Sequence, residues 1–178
     1  QQAIRAKCFH PTGAFVEFSK EEVEQSIPDR FEKIVRLYRD RIAVKVREQA
    51  LTYDALNKLA NRIAWSIYHE RGAKVEPVAL ISQHNLNGIA SCLGILKAGK
   101  ILVVVDPSLP IERVGNMLEN SQPSAIVTDG NNLWFAESIA KNELPVIDMD
   151  ALGSNLSEAN LGLRIAPDAP AQIVYSSG

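Results

Sequence analysis

The chain has 178 residues, of which 46% are hydrophobic and 22% charged, and its formal net charge is −2. This composition is that of an ordinary globular protein, without the basic surplus of a nucleic-acid-binding domain or the acidic tail of a disordered one. No uninterrupted apolar run approaches the roughly 18 residues that a membrane span needs, so we expect neither nucleic acid nor a membrane as a partner. Cys8 and Cys92 are too far apart in sequence to indicate a metal site or a disulfide framework, which favours a reducing cytoplasm.

The first 25 residues are interpreted as a linker or an N-terminal extension. Residues 1–18 show no helical periodicity, and Ser19 with Glu22 fits a capping box that predicts a short helix. The chain begins without a Met, so we expect more polypeptide to precede it.

The first long helix is predicted from about residue 27 to 39. Ser26 fits its N-cap, Pro28 suits its first turn, and apolar residues recur along one face. Residues 42–46 alternate toward a strand, and residues 50–51 are predicted to pair with it as a hairpin.

From Thr52 onward the chain alternates between helical and strand-like segments. Thr52 fits the N-cap of a helix that Gly72 terminates. The later strands are predicted at 78–81, 101–105, 125–128, 146–148 and 171–175, and the later helices at 86–97, 111–120 and 133–141. The strands are continuous apolar runs separated by helices, which is typical of a parallel sheet buried on both faces. The predicted fold is therefore α/β, a largely parallel sheet flanked by helices, with residues 151–169 as a surface connection.

The last predicted strand runs directly into Ser176, Ser177 and Gly178. Small hydroxyl residues and a glycine after a buried strand can bring backbone N–H groups close to phosphate oxygens, because glycine has no Cβ to clash. This predicts the start of a phosphate-binding loop. An ordinary polar turn explains the same three residues, and from them alone the turn is favoured.

A second glycine-rich segment, residues 94–100, spells most of a Walker A loop. The residue that follows is Ile101 instead of Ser or Thr, and the segment ends a helix instead of beginning one. We therefore reject the Walker interpretation and predict that Gly99 terminates a helix.

Three further residues have a functional and a structural interpretation, and the structural one is favoured for each. Asp106 follows an apolar strand and could bind a ligand or cation, but the prolines around it predict a turn. His84 could lie in a cleft but has no partner in the sequence, and Cys92 is predicted to be a buried, inert thiol.

Three segments in register resemble the amino-acid adenylation domains of nonribosomal peptide synthetases, which are adenylate-forming enzymes. These segments are residues 51–57, residues 96–100 with 106–108 and Pro110, and residues 173–178. The resemblance covers about residues 26–178. The chain departs from the second motif at Leu102 and Val104, where the family usually has an aromatic residue and a proline.

The resemblance implies that residues 26–178 are the N-terminal portion of the large subdomain of such an enzyme, truncated where the phosphate-binding loop begins. The parent enzyme would use ATP and Mg²⁺ to convert an amino-acid carboxylate into aminoacyl-AMP and load it onto the phosphopantetheine thiol of a carrier protein. Ser176, Ser177 and Gly178 would form the first limb of the loop that holds the β- and γ-phosphates. The family's ribose-binding, specificity and catalytic lysine residues lie further along, so no catalytic residue and no metal ligand is assigned in this chain.

Other functions remain open at this point. Within the superfamily the alternative is an acyl-CoA or fatty-acyl-AMP ligase, and outside it a nucleotide- or partner-binding α/β module without chemistry. A condensation or loading domain is expected upstream as a partner, and the 178-residue piece alone is expected to be inactive.

Overall fold

The computed structural model describes residues 19–83, 85–141 and 143–175. A short 3-10 helix, Lys20–Val23, precedes helix α1, Ile27–Tyr38. The Ser26 hydroxyl accepts a hydrogen bond from the Asp29 N–H at 3.2 Å, which confirms the predicted N-cap. The predicted linker or extension lies largely outside the described residues, which begin at Ser19.

An antiparallel hairpin connects α1 to the main domain. Its strands are β1, Ile42–Val46, and β2, Gln49–Thr52, as the alternation predicts. Helix α2, Tyr53–Arg71, follows at once, because the Thr52 hydroxyl accepts a bond from the Ala55 N–H at 3.2 Å and caps the helix. It ends at Gly72, whose φ of +61° lies in the left-handed region that favours glycine.

The rest of the chain builds a five-stranded sheet in which every neighbouring pair is parallel. Its strands are β3 Pro77–Ile81, β4 Ile101–Val105, β5 Ile126–Thr128, β6 Val146–Asp148 and β7 Gln172–Ile173. The helices between them are α3 Leu86–Lys97, α4 Ile111–Ser121 and α5 Leu133–Ala140. The strands lie side by side in the order β6-β5-β3-β4-β7. The predicted α/β class and parallel sheet are confirmed.

Two hydrophobic clusters cover the two faces of this sheet. Val78 and Leu80 of β3 pack with residues of α2 and α3, whereas Ala79 and Ile81 pack with residues of α4 and α5. Successive side chains of a strand point to opposite faces, so a strand buried on both faces must be apolar at every position. This explains the uninterrupted apolar runs in the sequence.

The connection from β6 to β7 is irregular but firmly attached. After a 3-10 turn at Met149–Ala151 it contains no helix or strand until β7. It lies on α2, where the Asn61 amide donates to the Glu158 carbonyl at 2.7 Å and the Trp65 indole N–H donates to the Ala159 carbonyl at 2.8 Å.

The last strand is shorter than the sequence predicts. Its pairing with β4 covers only Gln172 and Ile173, so the prediction of a strand as far as Tyr175 is wrong at its C-terminal end. Beyond the ladder, the Tyr175 side chain packs against the hydrophobic cluster on the α4 face. In the part of the chain that the structure describes, no helix is both long and apolar enough to cross a membrane.

Candidate functional site

The parallel strands place their carboxyl ends at one edge of the sheet. The crossover from β3 to β4 passes over the α3 face, and the crossovers from β4 to β5 and from β5 to β6 pass over the α4 and α5 face. In open α/β sheets, ligands bind at the carboxyl edge where neighbouring strands send their connections to opposite faces. Strand β3 lies at this point, with β4 and β5 on either side.

The predicted phosphate-binding residues would begin close to this point. Strand β7 lies two positions from β3, about 10 Å across the sheet, because neighbouring strands are about 4.8 Å apart. Ser176, Ser177 and Gly178 lie outside the described residues. The last residue that the structure describes before them is Tyr175.

Tyr175 is attached to the C-terminal end of α4. Its hydroxyl lies 3.0 Å from the Met117 carbonyl oxygen and 3.1 Å from Asn120 Oδ1. The preceding residue, Val174, is 75% exposed. Sequence reasoning did not assign these contacts, since the partners lie 55 and 58 residues away in the chain.

A buried carboxylate joins the ends of β3 and β5. Asp129 is 2% exposed, and its Oδ2 accepts a hydrogen bond from the Ser82 hydroxyl at 2.7 Å. Its Oδ1 accepts from the Asn132 backbone N–H at 3.1 Å and from the Asn132 amide at 2.6 Å. Both carboxylate oxygens of Asp129 are therefore hydrogen-bonded within the protein. Asp129 thereby connects the loops that follow β3 and β5 at the carboxyl edge. An Asp directly after an apolar strand was the only signal of this network in the sequence.

A second carboxylate fixes the neighbouring loop. Asp150 accepts bonds from the Gly130 N–H at 2.9 Å and from the Asn87 amide at 2.8 Å. Its own N–H donates to Asp148 Oδ1 at 2.9 Å. These contacts connect the end of β6 to the turn after β5 and to the first turn of α3. The edge around the candidate site is thus held in place by hydrogen bonds between strand ends.

The other residues discussed from the sequence have structural roles where they are described. Asp106 Oδ1 accepts from the Ser108 N–H at 2.8 Å, so it forms the predicted turn. Cys92 is partly buried, and burial raises the pKa of its thiol, which agrees with an inert cysteine. His84 lies outside the described residues.

The Walker-like segment, residues 94–100, lies at the amino edge of the sheet, opposite the candidate site. This position agrees with the rejection of the Walker interpretation. Gly94 is inside α3, and Gly99 follows the helix with a φ of +70°. Lys100 is 2% exposed, and its ammonium donates to the Lys74 carbonyl at 2.6 Å and to Glu76 at 3.3 Å. The lysine is therefore used within the protein and does not point toward the candidate phosphate site.

A mainly apolar cavity of about 440 Å³ also lies at the amino edge. It is lined by the start of α1, by the turn at Gly99 and by residues between 163 and 171. The five residues of β4 span about 16 Å, which separates this cavity from the carboxyl edge of the sheet. The cavity is not part of the candidate phosphate site.

Comparison with known proteins identifies the family of this chain. The family model described as AMP-binding enzyme matches residues 31–178. A dimodular nonribosomal peptide synthase of Bacillus subtilis (strain 168) is 32% identical over 166 residues, and tyrocidine synthase 3 of Brevibacillus parabrevis is 32% identical over 158 residues. These matches cover 91% and 88% of this chain but only 7% and 2% of the two relatives.

A solved nonribosomal peptide synthetase shows the same fold. The structure of an FmoA3 variant bound to alpha-methyl-L-serine-AMP superposes with a TM-score of 0.75 and 25% sequence identity. The match covers 87% of this chain and 17% of that one. The chain therefore belongs to the AMP-binding enzyme family, in which it corresponds to an N-terminal portion of the adenylation domains of nonribosomal peptide synthetases.

Proposed function

We propose that the protein containing this chain uses ATP to convert an amino-acid carboxylate into aminoacyl-AMP. The aminoacyl group is then passed to the phosphopantetheine thiol of a carrier protein. The observation that carries the proposal is the position of β7, a parallel neighbour of β4 that Ser176, Ser177 and Gly178 follow in the sequence, in a chain that belongs to the AMP-binding enzyme family. The location that we propose is a reducing cytoplasm, because Cys8 and Cys92 are too far apart in sequence to indicate a disulfide framework.

The contribution of this chain is to hold and direct the phosphate loop. Ser176, Ser177 and Gly178 supply hydroxyl and backbone N–H donors of the kind that bind phosphate oxygens. Preorganised donors of this kind stabilise charge that develops during phosphoryl and acyl transfer, without reorganising at the moment of reaction.

Magnesium is expected to accompany ATP, because it neutralises phosphate charge. Among residues 19–83, 85–141 and 143–175 there is no group of three His, Cys, Asp or Glu side chains that could hold a metal ion. Magnesium bound with a nucleotide is usually held by one or two carboxylates together with the phosphates, so we assign it no ligand among these residues and derive no step through the ion.

The domain boundaries form part of the proposal. Residues 26–178 are the beginning of the adenylation domain, and residues 1–25 connect it to an upstream condensation or loading domain. Limited proteolysis of the full-length protein tests this, since cleavage is expected before residue 26. Complete protection of that stretch would argue against a connecting segment.

The central test is ATP–pyrophosphate exchange by the full-length protein. Single amino acids are compared with fatty acids of several lengths, and we expect exchange only with one amino acid or a few similar ones. Exchange that depends on fatty acids would replace the proposal with an acyl-AMP ligase. Binding of ATP without exchange for any acid would instead favour a nucleotide-binding module without chemistry.

A further inference from the structure

Helix α1 buries much less of itself in the domain than α3, a helix of the same length. Two of the twelve residues of α1, Pro28 and Val35, are buried, against seven of twelve in α3, and the structure describes both helices in full. Ile27 and Leu37 of α1 are 51% and 62% exposed. Burial of apolar side chains is the main term that keeps a helix in place, so α1 has less burial to lose than α3 when it separates from the domain.

The two ends of α1 are attached differently. Just beyond its C-terminal end, the Arg39 carbonyl accepts from the Asp54 N–H at 3.0 Å, and the Arg39 guanidinium pairs with the Asp54 carboxylate at 2.9 Å. At its N-terminal end, Ile27 and Pro28 line the apolar cavity of about 440 Å³ at the amino edge. The C-terminal end is therefore fixed to the start of α2, whereas the N-terminal end is incompletely packed.

A buried ion pair lies between these two ends. The Lys97 ammonium, at the end of α3, pairs with the Glu32 carboxylate of α1, and the Phe31 ring centre lies 6.0 Å from the same ammonium. The Lys97 side chain is 1% exposed and that of Glu32 is 18% exposed. The ammonium also donates to Asn160 Oδ1 at 3.3 Å, on the connection to β7. Because Glu32 and Phe31 both belong to α1, displacement of this helix opens Lys97 to water.

The charge of Lys97 makes this pair important for the position of α1. A buried ammonium without its partner carries a large desolvation penalty, so the loss of one partner of a buried pair costs more than the loss of both. In the closed position the Glu32 carboxylate compensates the charge of Lys97, and with α1 displaced water compensates it. Glu32 is therefore needed only while α1 covers Lys97.

We propose that α1 is a hinged arm, which swings away from the domain about residues 39–41 while the sheet stays folded, and that the pair of Glu32 with Lys97 is the latch that holds it closed. The inference does not depend on the proposed function, because no step of it involves ATP or an acid. The chain enters α1 at its loosely packed end, so a displacement of the preceding residues is expected to open the arm and to leave the sheet undisturbed.

Native-state hydrogen exchange of the full-length protein tests the hinged arm. Peptides that cover α1 are compared with peptides that cover α3, at increasing urea concentrations below the unfolding transition. We expect the α1 amides to exchange at least about 10-fold faster and with little dependence on urea, because the opening of one helix exposes little surface. The α3 amides are expected to show the steep urea dependence of global unfolding. Equal rates and equal urea dependence in the two helices would overturn the proposal.

Three variants test the latch in the same experiment. Glu32→Gln keeps the shape but leaves the Lys97 charge buried without its partner, and the α1 amides are expected to exchange about 10- to 100-fold faster. The double variant Glu32→Gln with Lys97→Met removes the charge as well, and α1 exchange is expected to return to within about 5-fold of the wild type. Glu24→Gln is the matched control, because Glu24 is exposed and lies just before the helix, and a change below about 2-fold is expected.

The variants decide between a latch and ordinary packing. Unchanged exchange of α1 in Glu32→Gln, or an effect no larger than that of Glu24→Gln, overturns the latch. Faster exchange that Lys97→Met does not reverse overturns it as well, because lost packing at Glu32 and not an unpaired charge would then be the cause. Faster exchange in Glu32→Gln with recovery in the double variant supports the latch, whether or not the protein exchanges pyrophosphate with an amino acid.

Discussion

At the scale of single residues, Lys100 makes buried polar contacts that stabilise the amino edge of the sheet. Its ammonium is buried, and it bonds to the Lys74 carbonyl and to Glu76, which also accepts from Arg71 at 3.1 Å. Burial lowers the pKa of Lys100, and the Glu76 carboxylate opposes that shift. Lys100, the last residue of the rejected Walker pattern, therefore forms a structural ion pair with Glu76 near the end of α2.

Replacing Lys100 with Met removes the charge and keeps most of the apolar length. We expect a loss of about 2–4 kcal/mol in the free energy of unfolding, because Glu76 loses a buried partner but keeps Arg71. Urea unfolding of the chain measures the loss. The control is Lys74→Met, since Lys74 is 79% exposed and its ammonium lies 3.8 Å from the same carboxylate, so a change below about 0.5 kcal/mol is expected. Equal effects of the two substitutions would contradict the role of burial.

Glu76 makes the stability of this edge depend on pH. Burial raises the pKa of Glu76, but hydrogen bonds from Arg71 and Ser124 and the charge of Lys100 outweigh it and leave the pKa below its ordinary value. The ionised form is therefore favoured in the folded chain. Its contribution is complete above the pKa of the unfolded chain and is lost as the pH falls through the folded value.

The variant Glu76→Gln tests this sign. Wild type and variant are unfolded in urea at several pH values, and the difference in their free energies of unfolding is expected to shrink as the pH falls from about 5 to about 3. A difference that stays constant over this range, or grows toward acid, would show that the charge of Glu76 does not stabilise the fold.

At the scale of elements, α2 and α3 approach each other closely at Gly94. A Cβ built there would lie 2.8 Å from Ile63 Cγ2 and 2.9 Å from the Ala60 carbonyl oxygen. Ile63 and Ala60 are fully buried, and one of the clashing atoms belongs to the backbone, so the neighbours cannot give way easily. The glycine is therefore required by packing between two helices and not by a phosphate.

Gly94→Ala is expected to lower the free energy of unfolding by about 1–3 kcal/mol, although Ala is the better helix former. Gly115→Ala in α4 is the matched control, because nothing lies within 4 Å of its added methyl group, and it is expected to gain up to about 1 kcal/mol. Thermal unfolding of both variants gives the comparison. A stabilised Gly94 variant would mean that α2 and α3 separate at little cost.

Local patterns in the sequence were sufficient for most elements. Helix α3 and strand β4 have the predicted bounds, because apolar runs and the glycine at position 99 delimit them. The early end of β7 has no local signal, since the apolar run continues through Tyr175, and the contacts of Tyr175 with α4 join residues 55 and 58 positions apart. The pairing of Ser82 with Asp129 escaped for the same reason, because periodicity shows which residues share a face but not the order of the strands.

At the scale of the whole molecule, the two edges of the sheet carry different kinds of polar contact. Buried ion partners such as Lys100 and Glu76 lie at the amino edge, and strand-end hydrogen bonds such as that of Ser82 with Asp129 lie at the carboxyl edge. The sequence predicts that the loop after β7 emerges at the carboxyl edge, because a loop that follows a parallel strand leaves the sheet at the carboxyl end of that strand. The hydrogen bonds between strand ends at this edge could not be predicted from the sequence, because they depend on which strands are neighbours in the sheet.

This separation leads to a prediction for the 178-residue chain by itself. Each face of its sheet has its own cluster of buried side chains, so the chain is expected to unfold cooperatively, as followed by far-UV circular dichroism. It is nevertheless expected to form no adenylate from ATP and any amino acid, because under the proposed function Ser176, Ser177 and Gly178 are only the first limb of the phosphate loop. The full-length protein is the control and should give exchange under the same conditions. Adenylate detected with the cooperatively folded 178-residue chain would show that the groups needed for catalysis are already within it, and the division between scaffold and reacting groups proposed here would be wrong.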